Sequence, residues 1–401
     1  MPRYPAYSGS VATVPASPYS KLAHRLSRHE GEVYPLHVGD TWMEPPEGCR
    51  MEDLTVARFP GMHRYTQPHG LPELLDALVA RIGERTGVAT TPDHLLLTTG
   101  ATGGLGAVVG ALVDPGDEVL ILAPYWPLIA GIVSSFHARS VPVPIFDVAE
   151  APDSPETLVE AVASRRTWRT AALYLSTPNN PSGRAMPRSW VEALAEWARR
   201  EDLWLISDEV YEDYLYEGEH PYCRPLAPER TFSAHSFSKA LGMAGNRCGY
   251  IVGPKDAMRE VRKVSVHTFY SAPTAGQLAA LEALRGPGDA WIAQARDKYR
   301  ELGTKAAARL GLPAPQGSTF LFLDVADFLA SRRDDDRGGD LQGPDEHGLM
   351  GFLEDCVDRG LFVAPGPSFG PYPTHVRVCY TSAEPEVVER GIEVLAQVLG
   401  R

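Results

Sequence analysis

One lysine in the sequence stands where a lysine side chain would be poorly hydrated. Lys239 follows Ser236 and Ser238 between two apolar runs, and Arg247 comes eight residues after it. Desolvation lowers the pKa of an ammonium group, so the free amine becomes a nucleophile that suits Schiff-base chemistry. Arginine binds phosphate as a bidentate fork, and serine hydroxyls donate hydrogen bonds to it. The stretch therefore predicts a reactive lysine beside a phosphate site.

A carboxylate at the end of an apolar run is the second candidate for chemistry. Asp208 directly follows the run 203–207, Leu-Trp-Leu-Ile-Ser, which predicts a buried strand. Burying a carboxylate there is costly unless a cation pairs with it. Asp208 therefore predicts a site that offers a positive charge, and Tyr211, three residues further on, adds a hydroxyl nearby.

Small residues mark a third candidate site. Gly100–Gly106 opens a predicted helix that extends to about Leu112, and the backbone N–H groups at such a helix N-terminus bind anions. The glycine spacing also fits the nicotinamide-binding turn of short-chain dehydrogenases. Against that alternative, the predicted strand 118–122 ends in Ala123-Pro124, where a ribose-binding acid would be expected, and no tyrosine has a lysine four residues after it. The run is therefore interpreted as a phosphate cradle.

The stretch from Ser236 to Tyr250 resembles a known family signature. Its pattern, Ser-x-Ser-Lys with Arg247 eight residues after the lysine and then x-Gly-Tyr, is similar to the cofactor-lysine signature of the class I/II, fold-type I aminotransferases. Further matching motifs run in one colinear order from about Gly39 to Arg377. The resemblance implies an enzyme that depends on pyridoxal 5'-phosphate, held on the lysine as a Schiff base. Its implied reaction moves an amino group between an amino acid and a 2-oxo acid.

The same resemblance assigns the groups around the cofactor ring. It implies that Asp208 pairs with the protonated ring nitrogen, and that Asn180 and Tyr211 hydrogen-bond the ring oxygen. Residue chemistry alone predicts only a turn for the Asn-Asn-Pro-Ser-Gly segment around Asn180. The family stacks an aromatic side chain on the ring, and Trp126 is preferred to Tyr125 for that position.

The implied phosphate contacts come from the start of the glycine-rich helix and from the lysine segment. They are Gly100, Ala101, Thr102, Ser236, Ser238 and Arg247. Tyr65 has two interpretations, since it could cover the helix that follows it or donate its hydroxyl to the cofactor phosphate of the neighbouring subunit. The second interpretation implies a homodimer with shared active sites.

An arginine in an apolar strand is the implied substrate contact. Alternation along the strand 376–380 could turn Arg377 to solvent. The resemblance implies instead that it clamps the substrate's α-carboxylate, a bidentate task that arginine performs better than lysine. Gly39 and Asn180 are implied to line the substrate pocket. His267, expected in a loop between two helices, is predicted to contact the substrate side chain in the partner's active site.

Strand and helix patterns alternate from residue 94 to about residue 253. This alternation predicts an α/β fold with a mostly parallel sheet, whose ligands bind outside the carboxyl ends of the strands. A length of 401 residues with 44% hydrophobic content is enough for two cores. We expect a fold-type I enzyme with a large domain, 50–286, and a smaller α/β domain built from both termini, 1–49 and 287–401. The charged stretch Ser331–Asp340 is predicted to be a solvated or disordered loop.

Composition argues against several other classes of protein. A formal charge of −13 repels nucleic acid, and a transcription regulator with an aminotransferase-like domain would need a DNA-binding module before residue 39. Five scattered cysteines without a CxxC pair predict reduced thiols and no metal site. Without an apolar run of bilayer length or a basic and then apolar N-terminus, the protein is expected to be cytoplasmic and to have no membrane partner.

The reaction is less well specified than the cofactor. The family scaffold also supports eliminations, decarboxylations and cyclisations of amino acids, because charge developed at the α-carbon has several fates. Trp42, beside Gly39 and Asp40, stands where the family often has small residues. A specialised lyase or cyclase acting on an amino acid is therefore the alternative function.

Overall fold

Seven strands form the larger sheet of the protein in the computed structural model, which describes residues 9–14, 22, 25, 28–149, 151–334 and 348–401. The strands are β1 (Leu95–Thr98), β2 (Glu118–Ala123), β3 (Arg139–Pro144), β4 (Thr170–Ser176), β5 (Trp204–Asp208), β6 (Thr231–Ser236) and β7 (Gly249–Val252). Their order across the sheet is β1-β7-β6-β5-β4-β2-β3. All neighbouring strands are parallel except β7, which is antiparallel to both β6 and β1. The predicted α/β fold with a mostly parallel sheet is confirmed.

Helices cover both faces of this sheet. They are α1 (Pro72–Thr86), α2 (Gly100–Leu112), α3 (Leu128–Ser135), α4 (Pro155–Ala163), α5 (Arg188–Arg200), α6 (Phe237–Ala240), α7 (Lys255–Thr268) and α8 (Thr274–Arg285). Successive strand residues point to opposite faces. Ile121 of β2 therefore packs in one core with Leu105 of α2, whereas its neighbour Leu120 packs in another with Val191 of α5. Burial on both faces explains why these strands are almost continuously apolar.

A second sheet of three antiparallel strands lies towards the C-terminus of the chain. Its strands are β8 (Phe320–Asp324), β9 (Ala364–Pro365) and β10 (His375–Cys379), in the order β8-β10-β9. The accompanying helices are α9 (Gly288–Leu310), α10 (Ala326–Asp334), α11 (Leu349–Asp358) and α12 (Pro385–Val398). Leu36 is fully buried in the same core, and its carbonyl accepts a backbone hydrogen bond from Cys379 at 2.7 Å. Segments from both ends of the chain thus share one core, while the predicted boundaries at residues 49 and 286 stay a prediction.

The predicted loop position of His267 is wrong. The helix α7 continues to Thr268, so His267 lies in its last turn, where the ring Nδ1 is 2.8 Å from the carbonyl oxygen of Lys263. The residues from Val266 to Thr268 include no helix breaker, and the Thr268 hydroxyl donates to the carbonyl of Val264 at 3.0 Å. A hydroxyl that bonds back to the preceding turn is compatible with a helix. The loop begins only beyond this residue.

The predicted charged loop is also wrong at its beginning. Residues 331–334 form the end of α10, and the Ser331 hydroxyl donates to the carbonyl of Phe328 at 2.8 Å. The sequence has neither glycine nor proline between Ala326 and Asp334, so nothing in it ends the helix earlier. Residues 335–340 lie outside the described residues. Within the described part of the chain, no helix combines the length and the apolar character needed to cross a bilayer.

Candidate active site

The carboxyl ends of three neighbouring strands open into a cavity of about 330 Å³. Ser176, Asp208 and Ser236, the last residues of β4, β5 and β6, all line it. Ligands bind at this edge of an open parallel sheet because the loops that follow the strands converge there. Most of the predicted site residues also line the cavity: Gly39, Ala101, Thr102, Trp126, Asn180, Asp208, Tyr211, Ser236, Ser238, Lys239, Arg247 and Arg377.

Lys239 lies in the one-turn helix α6. Ser236 is the N-cap of this helix, and its hydroxyl oxygen accepts a hydrogen bond from the Ser238 N–H at 3.1 Å. The hydroxyl of Tyr214 donates to the carbonyl of Lys239 at 3.0 Å, which fixes the backbone that carries the amine. The Nζ group donates to the carbonyl of Gly39. Burial lowers the pKa of the Lys239 ammonium, as the sequence predicted.

Asp208 is a buried carboxylate that faces the cavity, with only 4% of its surface exposed. Its Oδ2 accepts a hydrogen bond from the hydroxyl of Tyr174 at 2.7 Å, and its Oδ1 accepts one from the Val210 N–H at 3.4 Å. No side chain in the described part of the chain forms an ion pair with it. Burial raises the pKa of Asp208 to about 6. The site therefore has an acidic group that a cationic ligand would stabilise.

An anion site is built at the other end of the cavity, where α2 begins. Gly100 has a φ of +69°, and a Cβ atom there would lie 2.6 Å from Nη2 of Arg247. Glycine is therefore needed for the backbone conformation and for the close approach of the guanidinium. Arg247 donates to the carbonyl of Ala244 at 2.9 Å, while Ala101 and Thr102 line the cavity at the helix N-terminus. Gly100 itself supports the arginine and is not among the lining residues.

Arg377 points into the cavity and not to solvent, since only 7% of its surface is exposed. Its Nη1 donates to Oδ1 of Asn180 at 2.9 Å, and its Nη2 donates to the carbonyl of His37 at 2.5 Å. The guanidinium carbon lies 4.3 Å from the ring centre of Phe320 and 4.8 Å from that of Phe369. These contacts fix the plane of the guanidinium, which a bidentate carboxylate contact requires.

Two aromatic residues complete the cavity wall. Trp126 lines it, whereas Tyr125 is buried behind it and donates its backbone N–H to the carbonyl of Phe369 at 3.0 Å. Tyr211 also lines the cavity, and its ring packs edge-on against Phe320 with 5.6 Å between the ring centres. Burial raises the pKa of Tyr211, so its hydroxyl keeps its proton and can donate a hydrogen bond.

Besides Gly100, three residues singled out in the sequence lie outside this cavity. Tyr65 is 89% exposed and packs edge-on against Tyr270, at the rim of a separate surface cavity of about 370 Å³. His267 is exposed on α7. Trp42 packs with its ring centre 5.0 Å from that of Tyr299 and does not line the cavity. Within one chain, therefore, none of the three contacts the site.

Some residues of the site were missed by sequence reasoning. They are Leu105, Leu128 and Val210, which add an apolar wall. Gly39 was predicted to line the pocket, but the hydrogen bond that its carbonyl accepts from Lys239 was not predicted. The hydrogen bond from Tyr174 to Asp208 was also missed. Its only signal in the sequence is that Tyr174 lies two residues before the end of β4, on the same face as Ser176.

A buried network of ion pairs and hydrogen bonds connects residues next to the ends of β5 and β6. Glu209 follows Asp208, and its Oε1 accepts from the hydroxyl of Ser207 at 2.8 Å. His235, the residue before the N-cap of α6, has its Nδ1 2.8 Å from Glu212, and Arg85 lies 2.9 Å from the same carboxylate. Burial alone would raise the pKa of Glu212, but His235 and Arg85 hold it well below its usual value.

Comparisons with known proteins identify the family. The family model described as aminotransferase class I and II matches residues 34–395. An aspartate/prephenate aminotransferase of Thermus thermophilus is 34% identical over 386 residues, which cover 94% of each chain. An arginine–pyruvate transaminase of Pseudomonas aeruginosa is 30% identical over 413 residues, which cover 100% of each chain.

A solved structure gives the same result. Aspartate aminotransferase from Thermus thermophilus with maleate superposes with a TM-score of 0.83 and 31% identity, covering 98% of this chain and 100% of that one. The chain therefore belongs to the class I and II aminotransferase family, whose members have fold type I and depend on pyridoxal phosphate.

The residues of the cavity fit that cofactor. Asp208 is a buried acid without an ion-pair partner among the described residues, and a protonated pyridine nitrogen would supply the missing cation. Lys239 offers an amine with a lowered pKa. The start of α2 and the guanidinium of Arg247 offer donors for a phosphate group.

Proposed function

We propose that this protein holds pyridoxal 5'-phosphate covalently on Lys239 and transfers amino groups between an amino acid and a 2-oxo acid. The observation that carries the proposal is the arrangement of three groups in one cavity. Lys239 supplies an amine, Asp208 a buried carboxylate in need of a cation, and Arg377 a fixed guanidinium. The relatives named above support transamination as the reaction.

When bound, pyridoxal phosphate supplies a ring that withdraws electrons from the α-carbon of an amino acid. Asp208 would hold the proton on the ring nitrogen, because a positive charge beside a buried carboxylate stabilises it. Asn180 and Tyr211 would donate hydrogen bonds to the ring oxygen, and Trp126 would stack on the ring. Lys239 would act as the base that takes the proton from the substrate α-carbon and delivers it during the transfer of the amino group.

The phosphate and the substrate are held by separate groups. We assign the phosphate to the N-terminus of α2 at Ala101 and Thr102, to the hydroxyls of Ser236 and Ser238, and to Arg247, with Gly100 as the support of that arginine. We assign the substrate α-carboxylate to Arg377. Gly39 and Asn180 line the same part of the cavity. Leu105, Leu128 and Val210 add apolar surface to the cavity wall.

The active protein is proposed to be a homodimer in the cytoplasm. The exposed side chain of Tyr65 packs against Tyr270, with 5.2 Å between the ring centres. It does not line the candidate active-site cavity of its own chain. Its hydroxyl would bind the cofactor phosphate of the second subunit, and His267 would approach the substrate side chain there. We also propose the division of the chain into a large domain, 50–286, and a small domain, 1–49 and 287–401.

The proposed reaction is tested with the reconstituted protein and a panel of amino acids. Without an acceptor, transamination should yield the 2-oxo acid and the aminated cofactor in equal amounts, and a 2-oxo acid should then restore the original absorbance. Release of ammonia or carbon dioxide with no aminated cofactor would support the lyase alternative instead. Trp42, on which that alternative rested, packs against Tyr299 outside the cavity.

Replacement of Arg377 by lysine tests the substrate clamp. Arg377→Lys keeps the charge but loses the bidentate geometry, so kcat/KM should fall roughly 10- to 100-fold, mainly through KM for the amino acid. Cofactor binding should be unchanged. The matched control is Arg309→Lys, at an exposed ion pair with Glu393 on the surface, which should leave kinetics unaltered. An unchanged KM in Arg377→Lys would contradict the assignment.

A further inference from the structure

Within the described part of the chain, one side chain donates a hydrogen bond to Asp208. It is the hydroxyl of Tyr174, 2.7 Å from Oδ2, and the other donor is the backbone N–H of Val210 at 3.4 Å. The register of β4 and β5 pairs Tyr174 with Ile206 and Ser176 with Asp208. Tyr174 and Asp208 thus lie on the same face, two residues apart along the strands. Two residues of strand span about 6.6 Å, a distance that the length of a tyrosine side chain covers.

We propose that Tyr174 is a positioning residue, whose hydroxyl holds the Asp208 carboxylate as an anion facing the cavity, ready to pair with the ring nitrogen of the cofactor. The proposal rests on the proposed function, because it concerns how the acid is prepared for that partner. Tyr174 does not line the cavity and would not contact the cofactor itself. It acts through Asp208.

The hydroxyl of Tyr174 is a permanent donor. Tyr174 is fully buried, and burial together with the carboxylate of Asp208 raises its pKa well above the usual value. The hydroxyl therefore keeps its proton at neutral pH and donates a hydrogen bond to Asp208. Burial raises the pKa of Asp208, and the bond from Tyr174 opposes that rise more than any other contact does. A hydrogen bond to a charged group changes such a pKa by about one to two pH units.

Charged groups on the other elements around Asp208 do not replace this bond. His235 of β6 favours the anion and Glu209 disfavours it, but both are engaged in the buried network that includes Glu212 and Arg85. On the cavity side, the other titratable groups that line the cavity with Asp208 are Lys239, Tyr211, Arg247 and Arg377. Within the described part of the chain, none of these groups forms a hydrogen bond to the Asp208 carboxylate.

A purely structural role for Tyr174 makes a different prediction. Tyr174→Phe keeps the ring that fills the core between β4 and the helices on that face, and removes only the hydroxyl. The matched control is Tyr372→Phe. Tyr372 is also buried, and its hydroxyl donates to the carbonyl of Phe146 at 2.8 Å, away from Asp208. If Tyr174 only fills space, the two variants should behave alike.

The test measures the carboxyl pKa of Asp208 in the protein without cofactor, by carbon-13 NMR of aspartate-labelled protein titrated with acid. The signal is assigned by its loss in Asp208→Asn. We expect Tyr174→Phe to raise the midpoint by about one to two pH units and Tyr372→Phe to leave it unchanged. Replacing Tyr174 with 3-fluorotyrosine, a stronger donor of the same shape, should lower the midpoint, which keeps the test decisive if the phenylalanine variant fails to fold.

Two further outcomes separate this proposal from the proposed function. In the presence of cofactor, Tyr174→Phe should bind it roughly tenfold more weakly than the unaltered protein. The acidic limb of the pH profile of kcat/KM should move to higher pH. Because the NMR titration needs neither cofactor nor turnover, it would still report a shifted midpoint if the protein proved not to be an aminotransferase. A midpoint in Tyr174→Phe equal to that of the unaltered protein would overturn the proposal.

Discussion

Lys239→Ala is expected to reduce transamination on the order of 10⁴-fold. The variant loses both the group that we propose binds the cofactor covalently and the proposed base for the α-proton, and a positioned base alone contributes 10²- to about 10⁴-fold. The fold should be retained, since α6 is held by the Ser236 cap and by the Tyr214 hydroxyl, neither of which involves the amine. Single-turnover rates with the best amino donor measure the effect.

The matched control for this prediction is an exposed lysine. Lys305 forms an ion pair with Glu301 on the surface of α9, and such pairs contribute little to stability. Lys305→Ala should therefore leave turnover and absorbance unchanged. Added small primary amines should partly restore proton transfer in Lys239→Ala, because they can enter the cavity in place of the missing side chain. Full activity of Lys239→Ala without added amine would contradict the assigned role.

Asp208→Asn is expected to lower kcat/KM roughly 10²- to 10³-fold. An amide cannot balance the charge of a protonated ring nitrogen, and breaking a buried ion pair costs about 3 to 5 kcal/mol. Cofactor binding should weaken for the same reason. Glu301→Gln, which neutralises an exposed carboxylate on α9, is the matched control and should change neither quantity. Equal kcat/KM values for Asp208→Asn and the unaltered protein would contradict the pairing.

In the protein without cofactor, Asp208→Asn should reduce the loss of folding stability that occurs as the pH rises. Burial raises the pKa of Asp208 in the folded protein to about 6, above its unfolded value of 3.8. The folded state then binds the proton more tightly, so Asp208 stabilises the fold at low pH and loses that stabilisation as pH rises through 6. Between about pH 5 and pH 7.5 the loss amounts to roughly 1 to 1.5 kcal/mol.

Denaturant unfolding of the two cofactor-free proteins measures this effect. Contributions that do not depend on pH cancel when each protein is compared with itself at the two pH values. Asp208→Asn should show less loss of unfolding free energy between them than the unaltered protein, by the amount given above. If both proteins lost the same free energy, the carboxyl of Asp208 would not titrate in this range and would have no need of a cationic partner.

The residues that sequence reasoning located correctly are those whose local context is informative. Lys239 and Arg247 lie in one short stretch, and Asp208 follows an apolar strand, so the cost of burying it is visible in the sequence. Alternating strands and helices then indicate that such residues meet at one edge of a parallel sheet. The cavity contains these residues as that argument expects.

Contacts between distant segments were not accessible in the same way. The bond from Tyr174 to Asp208 depends on the register of β4 against β5, and the carbonyl that accepts from Lys239 belongs to Gly39, 200 residues away. His267 was misplaced because polar residues near a helix end resemble a loop, although only a breaker or a cap ends a helix. Trp42 packs against Tyr299 through tertiary contacts that no local pattern records.

The central claim is that Lys239 is the residue that binds pyridoxal phosphate covalently. Borohydride reduction of the reconstituted protein, followed by proteolysis and mass spectrometry, tests it most directly. The claim predicts a yellow protein that is bleached by borohydride, with one stoichiometric label on the peptide that contains Lys239. A colourless protein after reconstitution, or a label on another lysine, would contradict it.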